Sequence, residues 1–358
     1  MRIAVIGGGN GSYAAVVDTV EAGHDVRWWR RDMASFGEIV ETGKIRVIDH
    51  AGERDVPVQP MDDLGAALDG VSLILAPTPA FAQLDIATAL APHLVDGQVI
   101  YLPPGSFGSY IMLKQLRDCG CTADIAIAET GTLPWLCRKQ GEASVRITTR
   151  ASRLPTGVLP ERLVDHALDV ISAAFPGAIE PCGDALSGAL MNAGPIIHPP
   201  LILMNAGPIE HFDRWDIHNE GTQPSVRRVH DALDAERMAV REALGYSAPH
   251  FPLADHYETS NWMYGNLAHD KLVDSGDWHE KLDFATHRYM TEDIAVGLAF
   301  LVSVGDWLEV PVPVASGLLA MASAVHGRNL RAEGRTMENI GLAGQSREQV
   351  LSMLGDGI

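Results

Sequence analysis

The stretch RIAVIGGGNGSYA, Arg2 to Ala14, constrains the fold more than any other part of the 358-residue chain. A strand-type run enters three consecutive glycines and a helix-type segment follows at once. Such a turn brings backbone N–H groups and a helix N-terminus to one point, where an anion is stabilised. Gly7, Gly9, Asn10 and Gly11 are therefore the expected contacts of a dinucleotide pyrophosphate. Ser12 stands where GxGxxG has its third glycine, a change predicted to loosen helix–strand packing and to leave the phosphate turn intact. The alternative, a plain glycine turn, is disfavoured by the strand and helix signals on either side.

Those signals continue. Apolar runs at Arg2–Ile6, Asp25–Trp29, Leu73–Ala76, Gln98–Leu102, Asp124–Ala128 and Ala143–Thr148 read as strands. Segments at Ser12–Glu21, Gln83–Ala91 and Gly108–Arg117 read as amphipathic helices, each covering one sheet face. The order predicts an α/β fold with a Rossmann-type, doubly wound domain over residues 1–184. From residue 185 to 358 helical signals dominate, and an all-helical substrate domain is expected. Its clearest helix is Ser225–Leu244, capped by Ser225 and stopped by Gly245; another starts near Pro313 and stops at Gly327. Asn261–Lys281 lacks periodicity and reads as a long loop or a lid. The pentapeptide NAGPI occurs at Asn192–Ile196 and Asn205–Ile209, which reads as two helix interruptions rather than a repeat architecture.

After the second predicted strand, where an NAD enzyme usually places an acid for the ribose 2′-hydroxyl, the chain has Arg30 and Arg31. A guanidinium pairs with a 2′-phosphate, so NADP(H) is the expected cofactor in preference to NAD. Two solvated loop arginines are the other reading. Pro77 in APTPA and Pro104 in LPPGS end the third and fourth strands on their carboxyl side, where ligands of open α/β sheets lie, and Glu129 ends the strand IAIAET at the same level.

The charge balance narrows the partners. With 46 acidic against 27 basic residues and a formal net charge of -19, the surface repels nucleic-acid phosphates and anionic membranes, leaving small molecules. Four cysteines without a CxxC pair, no leader-type N-terminus and no 20-residue apolar run point to a cytoplasmic protein. A homodimer is the expected assembly. No metal is expected: His211, His218 and His230 share no helical face, and read as solvated or substrate-lining.

Reducing a C=O or C=N carbon by hydride requires a proton donor at the heteroatom, usually a histidine oriented by a carboxylate. Among fourteen histidines, His198 stands out in the apolar segment GPIIHPPLILMN, with Pro199 and Pro200 predicted to end the helix behind it. A hydrogen-bonded structural histidine is the competing reading. Asp293, in HRYMTEDIAVGLAFL, is the candidate partner, unless it merely caps a helix. Arg288, five residues earlier, can grip a carboxylate or pair with a surface acid.

VIGGGNGSYA, VDGQVIYLPPG, IAETGTLPWLCR, the His-Pro element at His198, GTQPSV, DAERMAV, RYMTEDIAVGL and RAEGRT together resemble the opine dehydrogenase family, which includes octopine and nopaline dehydrogenases, over nearly the whole chain. The resemblance implies that His198 is the catalytic histidine, Asp293 its partner acid and Arg288 the holder of a keto-acid carboxylate. It also implies an oxidoreductase that couples an amino acid or amine to a 2-oxo acid and reduces the imine with a nicotinamide cofactor. Arg30 and Arg31 depart from the acid of NAD-type members. A 2-oxo acid to 2-hydroxy acid reductase of related architecture and a non-catalytic dinucleotide-binding sensor are the rival functions.

Overall fold

A computed structural model describes residues 1–265, 268–276, 278 and 281–358. The chain divides into two compact units, one formed by residues 1–189 with 353–358 and the other by residues 190–352.

The first unit is α/β. Its eight-stranded sheet runs β12 (Ile179–Asp184), β11 (Leu154–Leu159), β8 (Ala126–Thr130), β7 (Val99–Leu102), β6 (Leu73–Leu75), β1 (Arg2–Ile6), β2 (Asp25–Trp29) and β5 (Pro60–Met61). From β8 to β5 neighbouring strands are parallel; β11 is antiparallel to β8. The chain leaves β1 toward β2 and β5, then crosses to β6 on the other side of β1. The switch point of the sheet therefore lies between β1 and β6, where the loops at the strand carboxyl ends part and a ligand crevice forms.

A second, four-stranded sheet was not legible in the sequence: β4 (Gly52–Pro57), β3 (Lys44–Asp49), β10 (Ser144–Arg150) and β9 (Trp135–Lys139), in that order. The predicted strand Ala143–Thr148 belongs here rather than to the main sheet. The two sheets also correct the reading of the first helix, Asn10–Glu21, as amphipathic. Ser12, Tyr13, Ala14, Ala15, Val16, Val17 and Thr19 are all buried. Its residues join one apolar cluster with Ile3 and Val5 of β1 and with Ile45, Val47, Val145 and Ile147 of the small sheet. A helix with apolar residues on most of its circumference is stable only when covered on most sides.

Polar groups on this helix are paired inside the layer. Trp135 donates its Nε1 proton to Asp18 at 2.6 Å, and Arg150 forks onto Asp18 and Asp49. The Arg54 and Arg150 guanidiniums hold the Asp49 carboxyl well below the usual carboxylate range. At the head of the helix, Tyr13 and Phe36 pack on Trp28 at 4.8 Å and 4.2 Å between ring centroids. Each such buried aromatic contributes roughly 2–3 kcal/mol. Trp28 also donates to the Gly7 carbonyl at 2.7 Å, tying the glycine turn to this core.

The second unit, among its described residues, is helical. The helix Pro224–Ala243 starts at Pro224, with Gln223 rather than Ser225 as its cap, and ends against Gly245 at φ +87°. The helix Pro313–His326 ends against Gly327 at φ +70°. Asp234 and Arg237 form a buried pair at 2.6 Å; Asp234 accepts from the Leu253 N–H, and Arg237 donates to the Leu190 and His250 carbonyls. Glu236 accepts from the Val314 and Ala315 N–H groups, capping the helix Pro313–His326. The DAERMAV motif is thus a framework element. Both NAGPI copies open helices, Gly194–Leu203 and Ala206–His211, instead of interrupting them. The segment expected to be a long loop contains the helix Ala268–Ser275; the rest of that expectation falls partly on residues 266, 267, 277, 279 and 280, which lie outside the described residues.

Candidate functional site

In the first unit, Gly7 sits at φ +113°, and a Cβ there would come within 2.8 Å of the Thr78 methyl and 3.0 Å of Ser12 Oγ. Only glycine is unstrained in that position. A Cβ on Gly11 would press on Leu133 at 2.7 Å and Pro77 at 3.1 Å. Gly7, Gly11 and the loop after β6 therefore close around each other at the switch point, and Pro77 is part of the wall. Gly9 differs, since a Cβ there would meet nothing within 4 Å. That open space lies before the first turn of a helix with no side-chain cap and no acid. Free N–H groups, a positive helix end and room beside the backbone suit a pyrophosphate. Ser12 is fully buried, and its Oγ has no hydrogen-bond partner among the described residues. The orphaned hydroxyl at the turn is a further sign that the fit is for a polar group from outside the chain.

Asn10 does not face the turn alone: its Oδ1 accepts from the Lys139 backbone N–H at 3.0 Å, fastening the end of β9 beside the glycines. The two arginines separate. The Arg30 guanidinium lies over Gly8, so that a Cβ there would be 2.5 Å from Nη1, and it stands 4.9 Å above the Phe36 ring. Arg31 is exposed and paired with Asp85 at 2.9 Å. Glu129 is fully buried and accepts from the Phe107 N–H at 2.7 Å, the Ser109 N–H at 3.2 Å and the Ser109 hydroxyl. Its carboxylate thus holds the loop that carries Pro104 and the start of the helix Gly108–Asp118, whose preceding residues Ser106 and Phe107 have φ of 53° and 65°.

In the second unit, His198 lies in the helix Gly194–Leu203, which runs on through Pro199 and Pro200 instead of stopping before them. Proline keeps a helical φ and costs only its N–H bond and some crowding, and packing outweighs that cost here. The neighbouring segment Tyr289–Leu298 is wound as a π-helix. A Cβ on Gly297 would be 2.0 Å from Pro195, and one on Gly194 would be 2.2 Å from Asp293 Oδ1. The two glycines let the backbones approach until residues four apart, Tyr289, Asp293 and Gly297, all lie against the His198 helix.

Asp293 is accordingly no cap. It is buried within the π-helical stretch, and its Oδ2 lies 2.9 Å from His198 Nδ1. An ionised carboxylate can only accept, so Nδ1 carries the proton, and Nε2 has no hydrogen-bond partner among the described residues. Tyr289 stacks on the imidazole at 3.8 Å with 18° between planes, and the edge of His218 approaches at 6.1 Å. Carboxylate and stacked ring together fix the imidazole in position and plane. π-Helical turns concentrate at functional sites, a signal that a 3.6-residue period hides. Arg288 ends the loop just before this stretch; it is more than half exposed and 3.7 Å from Glu292.

Of the three histidines set aside above, His211 is exposed, but His218 and His230 are buried, which corrects the solvated reading for those two. His230 donates its Nε2 proton to the Ile197 carbonyl, 2.9 Å away, and burial pushes its pKa down to about 4, so it stands there as the neutral donor. Among the described residues no three His, Cys, Asp or Glu side chains form a metal-holding group. No described helix is long and apolar enough to cross a membrane.

Comparison with known proteins bears on both units. Residues 181–326 match the family described as NAD/NADP octopine/nopaline dehydrogenase, alpha-helical domain. An opine dehydrogenase of Arthrobacter sp. (strain 1C) is 27% identical over 354 residues, covering 95% of each chain. A solved octopine dehydrogenase in complex with NADH and agmatine superposes with a TM-score of 0.75 at 19% identity, over 98% of each chain. A yersinopine dehydrogenase with NADP+ bound gives a TM-score of 0.65 at 15% identity, over 99% of this chain and 98% of that one.

Proposed function

The chain belongs to the opine dehydrogenase family, the NAD(P)-dependent oxidoreductases acting on CH–NH donors, and from that premise we propose that it is an NADP(H)-dependent opine dehydrogenase. The reaction joins the amino group of an amino acid or amine to the carbonyl carbon of a 2-oxo acid with loss of water. The resulting C=N bond takes a hydride on carbon and a proton on nitrogen, giving a secondary amine, and the reverse oxidation regenerates the two substrates. The nicotinamide supplies or receives the hydride. On this reading Gly7, Gly9, Asn10 and Gly11 hold the pyrophosphate, and Arg30 meets the 2′-phosphate.

The observation that carries the chemistry is the His198–Asp293 pair, with Nδ1 committed to the carboxylate and Nε2 left over for a substrate. His198 can then take the proton lost by the attacking amine and return one at the reduction step, while Asp293 stabilises the imidazolium in between. The Arg288 guanidinium, next to the Tyr289 that stacks on His198, grips the 2-oxo acid carboxylate. The ligands of the two solved relatives, NADH with agmatine and NADP+, are compatible with a nicotinamide cofactor and an amine substrate.

The test is oxidation of NADPH and of NADH against a panel of 2-oxo acids, each with and without a panel of amino acids and amines. Turnover only when both substrates are present is the expected result. Turnover with a 2-oxo acid alone makes the protein a hydroxy-acid dehydrogenase, and cofactor binding without turnover across the panel makes it a sensor.

A further inference from the structure

Lys139 is misplaced by the pattern of its own strand. In β9, WLCRK, Trp135, Cys137 and Lys139 share one face by the two-residue period, and the first two are buried core residues. A lysine in that register turns its stem inward. Its Nζ lies 4.3 Å from the Tyr13 ring centroid, and Tyr13 packs against Trp28 and Phe36. Arg30 stands over Phe36 of that same aromatic cluster and over Gly8 of the turn. Two cations therefore share one aromatic platform at the end of β2.

Neither is neutralised by a carboxylate in salt-bridge contact among the described residues, although Arg2, Arg31, Arg54, Arg150, Arg153 and Arg162 of the same unit all have one. Burial, and then the charge of Arg30, lower the Lys139 pKa; Glu142 opposes this from further off, and Glu38 and Glu142 are the acids felt by Tyr13 between them. In a chain with 46 acidic residues, two mutually repelling, half-buried cations left without an ion pair are costly unless an anion joins them. The position is built: Asn10 Oδ1 clamps the Lys139 backbone to the head of the glycine-turn helix.

We propose that Lys139, delivered by the small second sheet, is the second cation of the 2′-phosphate seat and a specificity-determining residue for NADP(H). The phosphate lies between the Lys139 ammonium and the Arg30 guanidinium, and Arg31 is not part of the seat. This rests on the NADP(H) reading above, and the experiment separates the two. Calorimetric titration of the intact protein with NADP+, NAD+, 2′,5′-ADP and 5′-AMP is compared for the wild type, Lys139→Met and Lys139→Arg.

The wild-type ratio of NADP+ to NAD+ affinity reads the cofactor preference; the change in that ratio reads Lys139. Lys139→Met, which keeps the stem and its packing, is expected to weaken NADP+ and 2′,5′-ADP about tenfold or more and to leave NAD+ and 5′-AMP within about twofold. Lys139→Arg is expected to retain the ratio. Equal weakening of all four ligands makes Lys139 a structural residue and overturns the proposal, as does an unchanged ratio in Lys139→Met. A wild type that binds both dinucleotides equally overturns the preference, while a selective loss in Lys139→Met still upholds the phosphate contact.

Discussion

At the glycine turn the working groups are backbone atoms within a few consecutive residues, held by neighbours such as Trp28 and Thr78; at the His198–Asp293 pair they are side chains 95 residues apart, brought together by two helices. Both regions depend on glycines, for different reasons. Gly7 supplies a backbone angle and Gly9 leaves room for a ligand, whereas Gly194 and Gly297 let two helices touch. On the function proposed above, the first region recognises a large, charged, common group, and the second sets one proton at one atom. Damage to the first should therefore appear in cofactor affinity and damage to the second in turnover.

The largest expected effect tests that division directly. His198→Ala should lower kcat on the order of 10²–10⁴-fold with the NADP+ dissociation constant, measured by calorimetry, unchanged within about twofold. A parallel loss of cofactor affinity would erase the distinction between the regions.

Acid provides the next contrast. Burial lowers the His230 pKa to about 4 and that of His256 to about 3, below the 6.5 of an exposed histidine. The unfolded chain takes up these protons first, so the contribution of the two residues is full above about pH 6.5 and is lost as pH falls from there toward 4 and then 3. The loss should reach a few kcal/mol near pH 5, on the order of one proton per residue. Hydrogen exchange at pH 5 against pH 7.5 should rise in the helices Pro224–Ala243 and Ala254–Glu258 before it rises in β1, β6 and β7. Uniform exchange would mean that the units do not differ in this respect.

Gly7→Ala addresses the turn itself. The φ of +113° and the 2.8 Å approach to Thr78 make the variant strained by about 1–3 kcal/mol. NADP+ binding should weaken about tenfold while kcat at saturating cofactor stays near that of the wild type. The smallest effect belongs to Arg31→Ala: an exposed residue in an exposed ion pair should change NADP+ affinity by less than about twofold. A tenfold loss there would return Arg31 to the phosphate seat.

The same contrast explains what the sequence could disclose. The glycine turn, the parallel strands through β8 and the helix stops at Gly245 and Gly327 are local signals, and they were legible. The four-stranded sheet was not: of its strands only β10 carries a strand reading, and its pairing joins residues as far apart as Arg46 and Ser144. Missing it hid Lys139, whose inward register is the one clue in the chain. It also made the first helix look one-sided. In the helical unit, proline rules argued for a break after His198, and tertiary packing overrode them. The apolar, proline-flanked segment marks His198 among the fourteen histidines, but local sequence alone leaves a structural histidine and a helix cap as competing readings of His198 and Asp293, and the family resemblance is what favours catalysis. The separation of Arg30 from Arg31 depends on Phe36 and Asp85, which adjacency in sequence does not reveal.

The π-helical winding of Tyr289–Leu298 has a consequence for chain length. Each residue of an α-helix turns the chain by about 100°, so deleting one residue between Tyr289 and Asp293 would let the stretch relax to α-helix and swing the carboxylate away from His198. Substitutions on its outer face leave that register alone. In this segment the count of residues, more than their identity, sets the aim of the acid, and a single-codon deletion there would do more harm than several exchanges of side chain.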